Sequence, residues 1–119
     1  MKKEYIVYTG GYSHKTSSEG IYVFRLDMIK GEFVKLSSHS ECINPTFLAL
    51  SPDRRFLYAV HEVKEYAGIS AYAVDPDNGD LRWLNTLKAP GFGTCHLAVG
   101  PSGKFVAAAN YDSGSIFTC

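Results

Sequence analysis

At 119 residues, with 45% hydrophobic and 20% charged side chains, the chain has the composition of a globular protein; a disordered chain would show low hydrophobicity and high net charge. Twelve Lys and Arg balance twelve Asp and Glu, which argues against a nucleic-acid partner, because that footprint is normally a basic domain or stripe. No apolar run approaches the ~20 residues that span a bilayer, and Tyr5–Tyr8 behind Lys2 and Lys3 is too short for a secretory h-region, so a cytoplasmic chain with no membrane partner is expected.

Helical periodicity is almost absent. Short runs rich in β-branched and aromatic residues alternate with turn residues, which is the pattern of strands. In chain order, strands are expected over Tyr5–Thr9, Gly20–Leu26, Phe33–Leu36, Thr46–Leu50 and Phe56–Val60. They continue over Ile69–Val74, Leu81–Leu84, His96–Val99, Phe105–Ala109 and Ser115–Phe117. Ser51-Pro52-Asp53 and Pro101-Ser102-Gly103 each place a proline where a type I turn wants a fixed φ. Asn78-Gly79 is a strong hairpin signal, and Lys30-Gly31-Glu32 occupies the matching place earlier. Tyr58, Tyr72 and Trp83 lie on strands and read as packing between sheets.

The chain repeats itself. His96-Leu-Ala-Val-Gly-Pro follows Phe47-Leu-Ala-Leu-Ser-Pro at an offset of 49 residues, and Phe105 matches Phe56. Gly68-Ile69 follows Gly20-Ile21 at an offset of 48, with Asp75 on Asp27, Gly79 on Gly31 and Leu84 on Leu36. About four strands in a period of this length is the size of a β-propeller blade. A plain β-sandwich has no reason to show this internal register. The expected fold class is therefore all-β, a partial propeller of about 2.4 four-stranded blades. Blade one, residues 1–40, holds strands B to D; blade two is 41–89; a partial blade three is 90–119. Two open flanks with unpaired strand edges invite self-association unless covered.

Cys42, Cys95 and Cys119 are widely spaced and contain no CxxC. They read as reduced thiols rather than a disulfide framework or zinc site. Cys95 adjoins His96, but neighbours on a strand point to opposite faces, so a Cys–His catalytic pair is discounted. The remaining histidines, His14, His39 and His61, are scattered without metal-ligand spacing. Gly91-Phe92-Gly93 lacks the GxGxxG spacing and following helix of a dinucleotide loop and reads as an interblade loop.

Several stretches carry a family resemblance. They are Tyr8-Thr9-Gly10-Gly11-Tyr12, Gly20–Val23, Asn44–Pro52, Phe56–Glu62, Gly79-Asp80-Leu81, Cys95-His96-Leu97 and Ala109–Ser115. In this order they resemble the seven-bladed propeller lactonases, the family that includes the propeller-type 6-phosphogluconolactonases. The resemblance implies that the chain is the N-terminal third of such a ring. It also implies carbohydrate metabolism: hydrolysis of a sugar lactone, 6-phosphogluconolactone to 6-phosphogluconate, as a hydrolase needing no metal and no cofactor. One departure is His61, where the family pattern usually has asparagine.

Opening a lactone needs water to attack the ring carbonyl, a general base to take its proton, and donors for the developing oxyanion. With the resemblance in view, Glu62 and His96 are the catalytic candidates. Glu62 closes a strand, either as a channel-mouth carboxylate or as a solvated loop acid. His96 begins an inner strand, facing the channel or bonded to a carbonyl in the core. Substrate-binding candidates are Asn110, Tyr111, His61 and Tyr12. Asn110 and Tyr111 match His61 and Glu62 at offset 49, so all four belong to one rim. Asn110 alternatively bonds the backbone of a neighbouring blade, and a tight turn alone explains Gly10-Gly11 beside Tyr12. Lys64-Glu65 and Arg54-Arg55 read as solvated turn charges. Two other functions fit the same periodicity: a non-catalytic propeller module that binds a partner on one rim, and an enzyme acting on another cyclic ester such as a muconate lactone.

Overall fold

A computed structural model describes residues 2–119. Among them are ten strands and no helix: β1 (Glu4–Thr9), β2 (Ile21–Asp27), β3 (Glu32–His39), β4 (Leu48–Leu50), β5 (Phe56–Val60), β6 (Ala67–Val74), β7 (Leu81–Ala89), β8 (Thr94–Val99), β9 (Val106–Asn110) and β10 (Ser115–Thr118). They form three antiparallel meanders, β1-β2-β3, β4-β5-β6-β7 and β8-β9-β10. These are the blade-like sheets of a partial propeller, each strand overlapping one expected from the sequence.

The 48-residue period is visible in the backbone. The ladder between β2 and β3 shifts register between Val23 and Phe24. The ladder between β6 and β7 shifts between Ala71 and Tyr72, 48 residues later. Each bulge bends its blade and resets the side-chain alternation of the outer strand. That is why the outer strands run past their expected ends, β3 to His39 and β7 to Ala89: beyond the bulge the apolar pattern is out of phase, yet the hydrogen-bond ladder continues.

The turns repeat too. Asp27 Oδ1 accepts the amides of Ile29 and Lys30, as Asp75 Oδ1 accepts those of Asp77 and Asn78. At the inner turns, Ser51 N–H donates to Phe56 O and Arg54 N–H to Ser51 O. Gly100 and Gly103 make the same two bonds to Phe105 and Gly100, 49 residues on. The turn demands a left-handed residue: φ is 61° at Arg54 and 73° at Gly103.

Packing between sheets supplies the core. Ile21 and Val23 of the first sheet bury against Leu57, Ala59, Tyr72 and Leu81 of the second, with Cys42 from the connection. Val60 and Ile69 of the second bury against Leu97, Val106 and Ala108 of the third. Each large aliphatic side chain buried here contributes roughly 1.5–3 kcal/mol. Tyr72 is fully buried in the first cluster and Tyr58 packs on the second. Trp83 departs from the sequence reading. It is 45% exposed, because the first cluster reaches only Leu81 on the outermost strand, and its indole N–H donates to Thr86 Oγ1 at 3.3 Å.

The core also holds polar side chains. His61, 2% exposed, bonds Tyr66 OH through Nδ1 at 3.0 Å and Ser70 Oγ through Nε2 at 2.6 Å. Ser70 Oγ in turn bonds Thr86 Oγ1 at 2.7 Å. Burial, aided by the charge of Lys88, pulls the imidazole down to about 4. It is therefore neutral in the folded chain, one ring nitrogen donating and the other accepting.

Two predictions follow from these elements. A Cβ at Gly103 would meet only Pro52 Cδ, at 3.9 Å, so the cost there is conformational. Gly103→Ala should lower stability by about 1 kcal/mol and Arg54→Gly should raise it by about the same or less, as read by denaturant unfolding. For His61, the unfolded chain binds a proton near pH 6.5 and the folded chain only near 4. Stability is then full above pH 6.5, falls as the pH drops from 6.5 to 4 and levels off below that, a loss of at most about 3 kcal/mol. His61→Asn should flatten that part of the stability–pH profile; an unchanged slope would show that His61 is solvated.

Candidate functional site

In an antiparallel meander successive connections alternate between the two ends of the sheet. The connections β1–β2, β3–β4, β5–β6, β7–β8 and β9–β10 therefore share one rim, and the turns at 28–31, 51–55, 75–80 and 100–105 share the other. Tyr12, Glu62 and Tyr111 lie on the first rim. His96, the third residue of β8, lies near it.

Glu62 follows the end of β5 and is half-buried. Its Oε1 accepts the Thr46 hydroxyl at 2.9 Å, and its Oε2 accepts the phenol of Tyr12. It is in no ion pair among the described residues. Tyr12 reaches it across 50 residues of sequence, from the first sheet's rim loop. That hydrogen bond, with the charge of Glu62, raises the phenol above its ordinary value, so Tyr12 is a protonated donor at neutral pH. Gly10 permits the approach: a Cβ there would stand 2.0 Å from the Pro45 carbonyl oxygen. The glycine is required by close passage of the loop over the connection entering blade two, and a turn alone does not account for it.

Thr46 and Phe47 connect Glu62 to His96. Thr46 turns its hydroxyl to Glu62, while the adjacent Phe47 ring lies 4.3 Å, centroid to centroid, from the imidazole of His96. His96 is exposed, its ring tilted 46° to that of Phe47, so it is not a core histidine. Cys95 faces the other way, its thiol directed at Ala109 O at 3.7 Å.

The other candidates are placed differently. His61 is buried with both ring nitrogens engaged, as described above. Asn110, 3% exposed, accepts from Thr94 Oγ1 at 2.7 Å and donates to Ser115 Oγ at 3.1 Å. It thus holds side chains of its own sheet, and Thr94, not Asn110, takes a backbone amide of the neighbouring blade, that of Gly68 at 3.0 Å. Tyr111 is 81% exposed. So the structure joins Tyr12 to Glu62 and leaves His61 and Asn110 one layer beneath the rim, at equivalent positions. The 91–93 loop is tied down: Gly93 N–H donates to Val63 O at 2.8 Å, and Phe92 N–H to Ser113 Oγ at 3.0 Å. A cleft of about 390 Å³ opens elsewhere between blades two and three, lined by Phe56, Leu84, Leu87 and Phe105. None of the candidate residues borders it.

Sequence reasoning passed over Asn44, Thr46 and Ser13 as site residues. Asn44 and Thr46 stood inside the Asn44–Pro52 stretch that carried the resemblance, but their partners lie in loops whose proximity only folding creates. The arrangement is a carboxylate with one donor on each oxygen, open to the rim, beside an accessible imidazole on an aromatic ring. It can accept a proton from water or a hydroxyl from a sugar, and Tyr12 can donate to an oxygen that displaces the carboxylate.

Comparison with known proteins agrees in fold. The chain is 35% identical over 113 residues to the 6-phosphogluconolactonase of Bacillus subtilis, covering 95% of this chain and 32% of that protein. It is 34% identical to the 6-phosphogluconolactonase of Formosa agariphila, covering 92% and 32%. A crystal structure from Bacteroides fragilis, 38% identical, superposes with a TM-score of 0.88 over 98% of this chain and 32% of that one. The chain thus spans about a third of the length of these relatives. A family model described as lactonase, 7-bladed beta-propeller, matches residues 6–119, and on that near-complete match the chain belongs to the seven-bladed β-propeller lactonases.

Proposed function

We propose that this chain carries one side of a lactone-hydrolysing site whose substrate is 6-phosphogluconolactone and whose product is 6-phosphogluconate. The observation that supports it is the Glu62 carboxylate on the rim, held by Thr46 and Tyr12 and paired with no cation among the described residues. In this reading a water donates one proton to Glu62 as its oxygen bonds to the lactone carbonyl carbon. The carbonyl oxygen becomes an oxyanion, stabilised by a donor such as the Tyr12 phenol. When the tetrahedral intermediate collapses, the ring C–O bond breaks, and the proton returns to the departing alkoxide as the sugar hydroxyl.

His96 is the second proton acceptor of this reading, held against Phe47 where a ring-bound substrate would pass. Tyr12 and Tyr111 offer hydroxyls on the same rim, and His61 and Asn110 support the strand ends beneath them. The relatives named as 6-phosphogluconolactonases support the choice of substrate. A cytosolic setting is part of the proposal, supported by three cysteines that form no disulfide. Self-association through the edge strands β1 and β10 is a further part of it.

The test is hydrolysis of 6-phosphogluconolactone by this chain and by a version extended through seven blades. Activity is expected in the extended form. There, Glu62→Gln and His96→Ala should each lower kcat, with loss of a general base costing about 10²–10⁴-fold. If both variants hydrolyse at the parent rate, the assignment is wrong.

A further inference from the structure

Asn44 makes more polar contacts around this rim than any candidate chosen from sequence. Its Oδ1 accepts two successive backbone amides of the first sheet's rim loop, Ser13 N–H and His14 N–H, each at 2.8 Å. Its Nδ2 donates in the opposite direction, to Glu62 O at 3.1 Å. The main chain repeats the pattern. Asn44 N–H donates to Ser13 Oγ at 3.0 Å, and Asn44 O accepts Glu62 N–H at 3.2 Å and Thr46 N–H at 2.7 Å. Ser13 adjoins Tyr12, so one residue grips the chain beside both members of the Tyr12–Glu62 contact.

The backbone of Asn44 is held in an unusual state to do this. Its φ is 51°, in the left-handed region that asparagine tolerates better than most residues. The following Pro45 ordinarily biases its predecessor toward extended conformations. A strained conformation persists where surrounding contacts over-determine it, and here those contacts run to the two loops that carry the site. Glu62 itself is anchored to blade two only at its backbone and through Thr46, and Tyr12 is 61% exposed. Neither packs in a cluster that would fix its position.

We infer that Asn44 is a positioning residue: its side-chain amide clamps the loop carrying Tyr12 to the strand end carrying Glu62, and thereby sets the Tyr12–Glu62 hydrogen bond. As a contribution to lactone hydrolysis the inference rests on the reading given under Proposed function. The clamp itself is open to test without activity.

The experiment is a pH titration of the 119-residue chain labelled at the tyrosine ring, followed by NMR, with the Tyr12 resonance identified through Tyr12→Phe. In the parent, Tyr12 should titrate above ordinary tyrosine, and Glu62→Gln should bring it down. Asn44→Gly keeps the left-handed backbone available but removes the amide. It should lower the Tyr12 midpoint as far as Glu62→Gln does, while the amide spectrum elsewhere keeps its folded dispersion. A Tyr12 unmoved by Asn44→Gly but moved by Glu62→Gln overturns the clamp alone. A Tyr12 unmoved by Glu62→Gln overturns the pair and the clamp together. Loss of lactone hydrolysis as a function, with both shifts present, would count against the catalytic reading only. If Asn44→Gly fails to fold, amide exchange in the parent decides: Ser13 and His14 protected like ladder amides supports the clamp, and exchange at the free rate overturns it.

Discussion

Each sheet here has two faces, and no helix among the described residues covers either, so every blade is completed by its neighbour. That constraint governs the molecule. Ile21 and Val23 are dry only because Leu57, Ala59 and Tyr72 of the next sheet close over them, and Val60 and Ile69 only because Leu97 and Val106 follow. Apolar burial is non-directional and does not by itself fix how two sheets meet. Polar contacts add direction between the first and second sheets: Tyr8 OH donates to Gly79 O at 2.5 Å, and Asp80 takes Ser37 and His39 at 2.7 and 3.1 Å.

The site is a consequence of that packing. Because connections alternate between rims, stacking three meanders brings five loops to one end. There the polar groups are used in two layers. Beneath, His61 with Ser70 and Asn110 with Thr94 and Ser115 satisfy strand-end side chains inside the core. Above, Asn44 ties loops of neighbouring sheets, and Glu62, Tyr12 and His96 face outward. The equivalent residues His61 and Asn110 thus both brace the scaffold, while the next residues along, Glu62 and Tyr111, are held differently. Tyr111 shows the difference. It stands at the repeat position of Glu62, yet its side chain is 81% exposed, where Glu62 is gripped by Thr46 and Tyr12.

Most of the fold was legible because it is written in local chemistry. Pro52 and Pro101, Asp27 and Asp75, and Gly31 and Gly79 mark turns by conformational preference alone, and their spacing gives the blade length. The outer strands were underestimated because bulges at Val23–Phe24 and Ala71–Tyr72 shift the alternation on which strand reading depends. Trp83 was misplaced because a sequence shows that a residue is aromatic but not how far the neighbouring sheet extends. Glu62, His96 and Tyr12 were singled out only through the family resemblance, since composition alone favours reading Glu62 as a solvated acid.

The sequence by itself determined the strands, the turns, the 48–49-residue period and, through its motifs, the family. These depend on backbone preference and side-chain alternation, which act within a few residues. The tertiary structure alone decided which polar groups meet. Tyr12 lies 50 residues from Glu62, and Asn44 lies 31 from Ser13 and 18 from Glu62. Contacts at such separations are set by how one sheet seats on the next and by how the connection into a blade folds back over it, and no pattern within a few residues encodes them.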